Sequence, residues 1–405
     1  MNFFVARQPI FDSKMRVYAY ELLYRSAQYT NSFNEELNPD MASSEIMIES
    51  FLSMGIDKLT GDKRAFVNFT EALLKQNVAT LFPKQSLVVE LLETIDPTDE
   101  VIEASKLLKR NGYTLALDDF VLSEEYMPLV EIADIIKIDF LLSSLEEIKE
   151  IIARVDTKKT RLLAEKIETQ EMFDLAKELG FAYFQGYFFS RPVILSDRKL
   201  SPLKFNYLNL MRYVNRPEMD FGRVASAIRH DMSLSYKLLR LVNSAYFGFR
   251  NEIKDIKHAL SILGTNEIKK WVSLISMMGI QDGKPDEIIR MSMIRARFLE
   301  LMGAEINLGA SSENLYLTGL FSLIDVITEH PKEEILEQLY LPDIITKTLL
   351  ENTGSIARAL ELIVHYERGC WDEAMKLATS FGIGGEYVIR YYFNSVTWCN
   401  SLIIG

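Results

Sequence analysis

The chain has 405 residues, 48% of them apolar and 25% charged, with a formal net charge of −12. That length is enough for two domains with full cores, and the acidic balance excludes a general binder of nucleic-acid polymers, which needs a basic footprint. Cys370 and Cys399 stand in no metal-binding or disulfide spacing, and with no apolar run of about 18 residues to offer a membrane span, a cytoplasmic protein is expected.

Short β-rich runs, most of them ending in a polar residue, recur through the first 190 residues. In chain order they are Phe3–Ala6, Arg16–Glu21, Ala65–Phe69, Ser86–Glu90, Thr114–Asp118, Ile135–Lys137, Arg161–Glu165 and Ala182–Phe184. The first two are joined by the turn-like Phe11-Asp12-Ser13-Lys14 and read as an antiparallel hairpin. Helical patterns follow most of the others, at Ser43–Leu59, Pro97–Arg110 (stopped by Asn111-Gly112) and Thr169–Leu179 (stopped by Gly180). From Asn68 onward the polar strand ends fall at 68, 90, 118, 137, 165 and 185. That rhythm matches one β/α unit at a time and predicts a closed α/β barrel, with an open sheet as the alternative.

In such a barrel the site lies at the C-terminal strand ends. Those ends carry Glu21, Asn68, Glu90, Asp118, Asp119, Lys137, Asp139, Glu165 and Gln185. One such residue reads as a solvated loop position; so many arriving at the same end of successive strands do not. Carboxylate and amide oxygens are hard ligands that suit Mg²⁺ or Mn²⁺. No histidine precedes His230, which excludes a histidine-ligated zinc in this half. Asp118-Asp119 could hold two cations about a bridging water, with Lys137 neutralising phosphoryl charge and Glu165 taking a proton from the attacking water.

These residues carry a resemblance. Gln8-Pro9-Ile10 with Tyr20-Glu21-Leu22-Leu23-Tyr24-Arg25 resembles the opening of EAL domains, the cyclic di-GMP phosphodiesterase family. Phe66-Val67-Asn68, Glu90-Leu91-Leu92-Glu93, Leu117-Asp118-Asp119-Phe120, Ile136-Lys137-Ile138-Asp139, Ala164-Glu165-Lys166-Ile167-Glu168-Thr169 and Gln185-Gly186-Tyr187 are similar to the motifs that follow, in the same order. The resemblance covers about residues 3 to 192 and implies a barrel with its first strand reversed. It implies Glu21, Asn68, Glu90, Asp118 and Asp119 as metal ligands, with Lys137 and Glu168 supporting the metal–water cluster. It also implies Glu165 as the base, Gln185 completing the site, and Gln8 and Arg25 on the guanine and phosphate of cyclic di-GMP. The chain departs from the family at the triplet Glu21-Leu22-Leu23, at Lys166 where a glycine is usual, and at Val121–Tyr126 where a glycine-containing loop is usual.

After Ser190-Arg191-Pro192 strand-like runs give way to helical periodicity, and a boundary is placed near Leu200–Pro202, giving domains 1–200 and 201–405. Candidate helices run from Leu203–Tyr213 through Phe221–His230, Ser233–Ser244, Ile256–Leu263, Thr265–Met278 and Asp286–Met302 to Glu386–Ile404. Asp231–Gly248 and Ile256–Gly264 resemble the HDOD family, a helical module that resembles HD phosphohydrolases without their metal residues. Accordingly His230-Asp231 reads as a helix start rather than a metal site, Asn243-Ser244 as a cap, and Leu234, Leu238, Leu241 and Val242 as a core stripe. Tyr246, Phe247 and Phe249 either pack on a neighbouring helix or dock a partner.

The expectation is a cyclic di-GMP signalling protein in which an Mg²⁺- or Mn²⁺-dependent barrel hydrolyses the dinucleotide and a helical half meets an unidentified protein partner. A barrel that binds the dinucleotide without hydrolysing it is the alternative. Neither a membrane nor a nucleic-acid polymer is an expected partner, and a homodimer is left open.

Overall fold

The computed structural model describes residues 3–26, 55–190, 202–216, 218–243, 253–281 and 285–403. Eight strands close into a barrel in chain order. They are β1 (Phe3–Asp12), β2 (Val17–Ser26), β3 (Arg64–Phe69), β4 (Leu87–Leu91), β5 (Thr114–Leu117), β6 (Ile135–Asp139), β7 (Arg161–Glu165) and β8 (Tyr183–Gln185). β1 runs antiparallel to both β2 and β8, and the remaining neighbours are parallel. The barrel with a reversed first strand is therefore as the sequence predicts. The hairpin turn falls a little later than Phe11–Lys14: Asp12 accepts from the backbone of Lys14 and Arg16, each at 2.9 Å, and Met15 takes the left-handed conformation at φ 60°.

Helices α1 (Ile56–Thr60), α2 (Glu71–Lys75), α3 (Asp99–Arg110), α4 (Met127–Val130), α5 (Leu145–Arg154) and α6 (Gln170–Glu178) fill the connections. Of the helix expected at Ser43–Leu59, only the last residues fall within the described part of the chain. Inside the barrel one buried layer is built from Ile10, Ala19, Phe66, Val88, Ala116, Ile135 and Leu163, one residue from each of seven strands, with Tyr183 of β8 packed against it. This layer is the floor on which the polar residues stand.

The chain divides into two compact units, residues 1–191 with 362–405, and residues 192–361. The helical half expected at 201–405 is thus split, because its last part packs with the barrel. The cause lies at β1, where β8 pairs only with Ile10, Phe11 and Asp12 and leaves the outer half of that edge open. An unpaired strand edge must find hydrogen-bond partners. Helices α16 (Gly354–Glu367), α17 (Trp371–Ser380) and α18 (Gly385–Ile403) supply them. The Tyr366 hydroxyl accepts from Val5 N–H at 3.3 Å and donates to the Val5 carbonyl at 3.1 Å, while Tyr392 accepts from Arg7 N–H at 3.4 Å. Phe4, Trp371, Tyr366 and Tyr392 make an aromatic cluster over the same edge.

The other unit is helical, comprising α7 (Pro202–Val214), α8 (Phe221–Arg229), α9 (Met232–Val242), α10 (Ile256–Ile280), α11 (Asp286–Glu305), α12 (Ser312–Leu320), α13 (Ile324–Thr328), α14 (Lys332–Gln338), α15 (Asp343–Glu351) and the start of α16. Leu234, Leu238 and Val242 enter one buried core with Val224, Ile228, Leu260 and Trp271. Asp231 accepts from Leu234 N–H at 3.0 Å, so it does open α9 as a capping residue. Asn243 closes the same helix, donating to Leu239 and Ile253 carbonyls and accepting from Ile253 N–H at 2.7 Å. The break expected between residues 263 and 265 is a kink at Gly264, φ 73°, within α10. The Leu241 side chain, Ser244, Tyr246, Phe247 and Phe249 lie outside the described residues. Among the described residues no helix is long and apolar enough to cross a membrane.

Candidate functional site

The period of a β-strand builds this site. Side chains two positions apart point to the same face, so each residue two steps along a strand from the apolar layer also faces the barrel axis, one level nearer the mouth. From Ala19, Phe66, Val88, Ala116, Ile135, Leu163 and Tyr183 that step reaches Glu21, Asn68, Glu90, Asp118, Lys137, Glu165 and Gln185. On the reversed β1 the step runs backwards, from Ile10 to Gln8, and Gln8 pairs directly with Glu21. All eight strands therefore contribute one polar residue to a single ring.

Lys137 occupies the centre. Its ammonium lies 2.6 Å from Asp118, 2.8 Å from Glu90, 2.9 Å from Glu165 and 3.6 Å from Glu21. The side chain has no solvent exposure. It is enclosed among the carboxylates and offsets their charge. Burial would lower the Lys137 ammonium, but Glu165, Glu21, Glu90 and Asp118 together hold it well above the ordinary lysine range. Burial pushes the Glu90 carboxyl well up, partly opposed by Lys137. Glu165 is likewise raised by burial against the pull of Lys137, to about 8. Gln185 donates to Glu21 and to Gln8, the latter at 3.2 Å, which fixes the β8 side of the ring.

Above Lys137, single oxygens of Asp118, Asp119 and Glu165 lie within 4.8 Å of one another. Asn68 Oδ1 and Asp119 Oδ1 are buried with no hydrogen-bond partner. Buried oxygens left without a donor are costly, and a hard divalent cation is a group that satisfies them, so the donor set fits Mg²⁺ or Mn²⁺. Glu21 and Glu90 are tied to this trio through Lys137. Glu168, half-buried just before α6, stands outside the trio.

Both departures near the metal ligands are accommodated by the backbone. Lys166 takes φ 53°, the left-handed region in which glycine is at ease. Its ammonium forms an ion pair with Asp139 and reaches Asp119 at 3.9 Å, which offsets the conformational cost. In the 121–126 loop, the Tyr126 hydroxyl bonds the carbonyls of Glu93 at 2.8 Å and Ile95 at 3.1 Å, pinning the loop to the end of β4.

The two expected dinucleotide contacts, Gln8 and Arg25, lie toward β1 and β2. Gln8 donates to the Tyr187 hydroxyl at 3.0 Å and to the Arg368 carbonyl at 3.4 Å, and Arg25 pairs with Asp372 at 2.9 Å. Sequence reasoning did not assign Tyr187, nor Tyr24, whose hydroxyl donates to the Asn68 carbonyl at 2.7 Å. Their signal was present, since Tyr24 lies in the Glu21 motif and Tyr187 in the Gln185 motif.

The EAL domain model matches residues 2–192 and the HDOD domain model residues 200–329. The chain is 37% identical over 411 residues to protein YuxH of Bacillus subtilis, covering all of this chain and 99% of that one. It is 35% identical over 404 residues to cyclic di-GMP phosphodiesterase CdgJ of Vibrio cholerae, covering 98% of this chain and 93% of that one. Similar solved structures include a c-di-GMP-bound standalone EAL protein of Vibrio cholerae O395, at 20% identity and TM-score 0.38, covering 47% of this chain and 92% of that one. Another is the calcium/c-di-GMP complex of Klebsiella pneumoniae BlrP1, at 23% identity and TM-score 0.39, covering 47% of this chain and 56% of that one.

Proposed function

The chain belongs to the family that joins an EAL domain to an HDOD domain, and on that premise we propose that its barrel hydrolyses cyclic di-GMP to the linear dinucleotide. The observation that carries the proposal is the ring of oxygen donors at the mouth, with Asn68 Oδ1 and Asp119 Oδ1 buried and without a hydrogen-bond partner. Bound there, Mg²⁺ or Mn²⁺ would lower the pKa of a water and draw charge from the phosphodiester oxygens. Glu21, Asn68, Glu90, Asp118 and Asp119 are the proposed ligands, with Glu168 in support. Glu165 takes the proton of the attacking water. Lys137 keeps Glu21, Glu90, Asp118 and Glu165 together in one water-poor pocket despite their like charge. Gln185 holds Glu21 in place, while Gln8 and Arg25 bind the guanine and phosphate of the substrate. The helical unit is the half that meets a protein partner, and the whole works in the cytoplasm.

The test is direct. Purified protein mixed with cyclic di-GMP and Mn²⁺ yields linear product, EDTA abolishes it, and excess Mg²⁺ or Mn²⁺ restores it. Glu165→Gln lowers kcat by roughly 10²- to 10⁴-fold, the usual contribution of a positioned base. Tight binding with no product from the wild-type chain would make the barrel a cyclic di-GMP sensor; no binding at all would refute the assignment.

A further inference from the structure

The segment from Tyr366 to Asp372 runs along the mouth-facing side of the β1–β2 hairpin, although it lies more than 340 residues away in sequence. Residues paired directly across an antiparallel ladder share a face, and the pairs Phe4–Arg25 and Gln8–Glu21 set out that face. Trp371 stacks on Phe4 with ring centroids 5.7 Å apart, and Asp372 pairs with Arg25 at 2.9 Å. The carbonyl of Arg368 accepts from Gln8. Gly369 has φ 72°, the left-handed conformation in which glycine is at ease, where the segment passes against the Leu23 side chain of β2.

This places Arg368 beside the substrate end of the ring. Its guanidinium carbon lies 5.1 Å from the centroid of the Tyr187 ring, and the residue is exposed. Tyr187 in turn accepts from Gln8, which accepts from Gln185, which donates to Glu21. A cation is thus held on an aromatic platform next to the carboxylate ring, tied to it through three side chains.

We propose that Arg368 is a ligand-contacting residue, by which the C-terminal segment supplies the barrel with a guanidinium for a phosphate of the bound cyclic dinucleotide. This rests on the reading of the barrel as a cyclic di-GMP phosphodiesterase. The chemistry calls for such a group: the ring is acidic, and a dianionic dinucleotide extending beyond the metal-binding oxygens needs positive charge at its far end. Arg25 already shares its charge with Asp372. The guanidinium fork matches phosphate oxygens, and stacking on Tyr187 limits the orientations it must give up on binding.

The experiment measures the Kd for cyclic di-GMP by filter binding to the full-length chain in Ca²⁺, together with KM and kcat in Mn²⁺. The variants are Arg368→Gln, which keeps a stem over Tyr187, and Arg368→Lys. Arg368→Gln weakens binding roughly tenfold or more, the usual scale for loss of a charge-assisted contact. It raises KM with kcat nearly unchanged and leaves the thermal midpoint where it was, and Arg368→Lys falls between it and wild type. An unchanged Kd in Arg368→Gln overturns the assignment of Arg368 and leaves the function of the barrel standing. Tighter binding overturns it too, since the segment would then compete with the ligand. No binding by the wild-type chain refutes the reading of the barrel, and this inference with it.

Discussion

At the scale of the residue, the site turns on one lysine. Lys137 is enclosed by four carboxylates and exposes nothing to water. Removing one partner from a buried charge cluster leaves the others uncompensated, at a cost of about 3–5 kcal/mol. Lys137→Met, of similar length but neutral, is therefore expected to lower the urea midpoint of the barrel sharply and to abolish turnover. A variant that retained both would show that the carboxylates are held apart by something else. Lys166 illustrates a different relation: a residue in a glycine-like conformation persists because its side chain joins Asp139 and approaches Asp119.

At the scale of the element, strand period and strand end determine which side chains meet. Gly186, immediately after Gln185, has φ 149°, and a Cβ there would come within 2.0 Å of the Ile167 carbonyl oxygen. Gly186→Ala must therefore displace either β8 or the segment after β7. The expected result is a kcat/KM loss on the order of a hundredfold from a misplacement of about 1 Å, with the far-ultraviolet spectrum preserved; kinetics of that variant at the wild-type level would show that the backbone gives way freely there. The ring itself was legible in the sequence, because Glu21, Asn68, Glu90, Asp118, Lys137, Glu165 and Gln185 each follow an apolar residue by two positions on a short β-rich run. Helix α5 also had a signal, unused: Ser144 and Glu147 form a reciprocal capping box at its start. The enclosure of Lys137 was not legible, since a lysine at a strand end reads alike whether it faces water or four carboxylates.

At the scale of the whole molecule, the assignment of residues 362–405 to the barrel's unit had no local signal. Tyr366 and Val5 are 361 positions apart, and a tyrosine on a helix face announces nothing about the strand edge it will cap. A chain ending at residue 361 lacks Tyr366, Trp371 and Tyr392, leaving the Val5 and Arg7 amides and the Phe4 ring without these partners. Exposed strand edges template association between copies. The truncated chain is expected to elute in size-exclusion chromatography as larger oligomers or aggregates than the full chain forms, and the milder Tyr366→Phe to lose about 1 kcal/mol of stability. A monodisperse truncated barrel with its wild-type unfolding midpoint would contradict the capping role of these helices.

Because both ends of the helical unit connect into the barrel's unit, the first strand emerges from the ribosome long before the helices that shield it. At ordinary rates of about 5–20 residues per second, the intervening 192–361 segment alone takes roughly 9 to 34 s to synthesise. Throughout that interval the nascent chain carries an uncovered β-edge, which makes it a natural client of ribosome-associated chaperones.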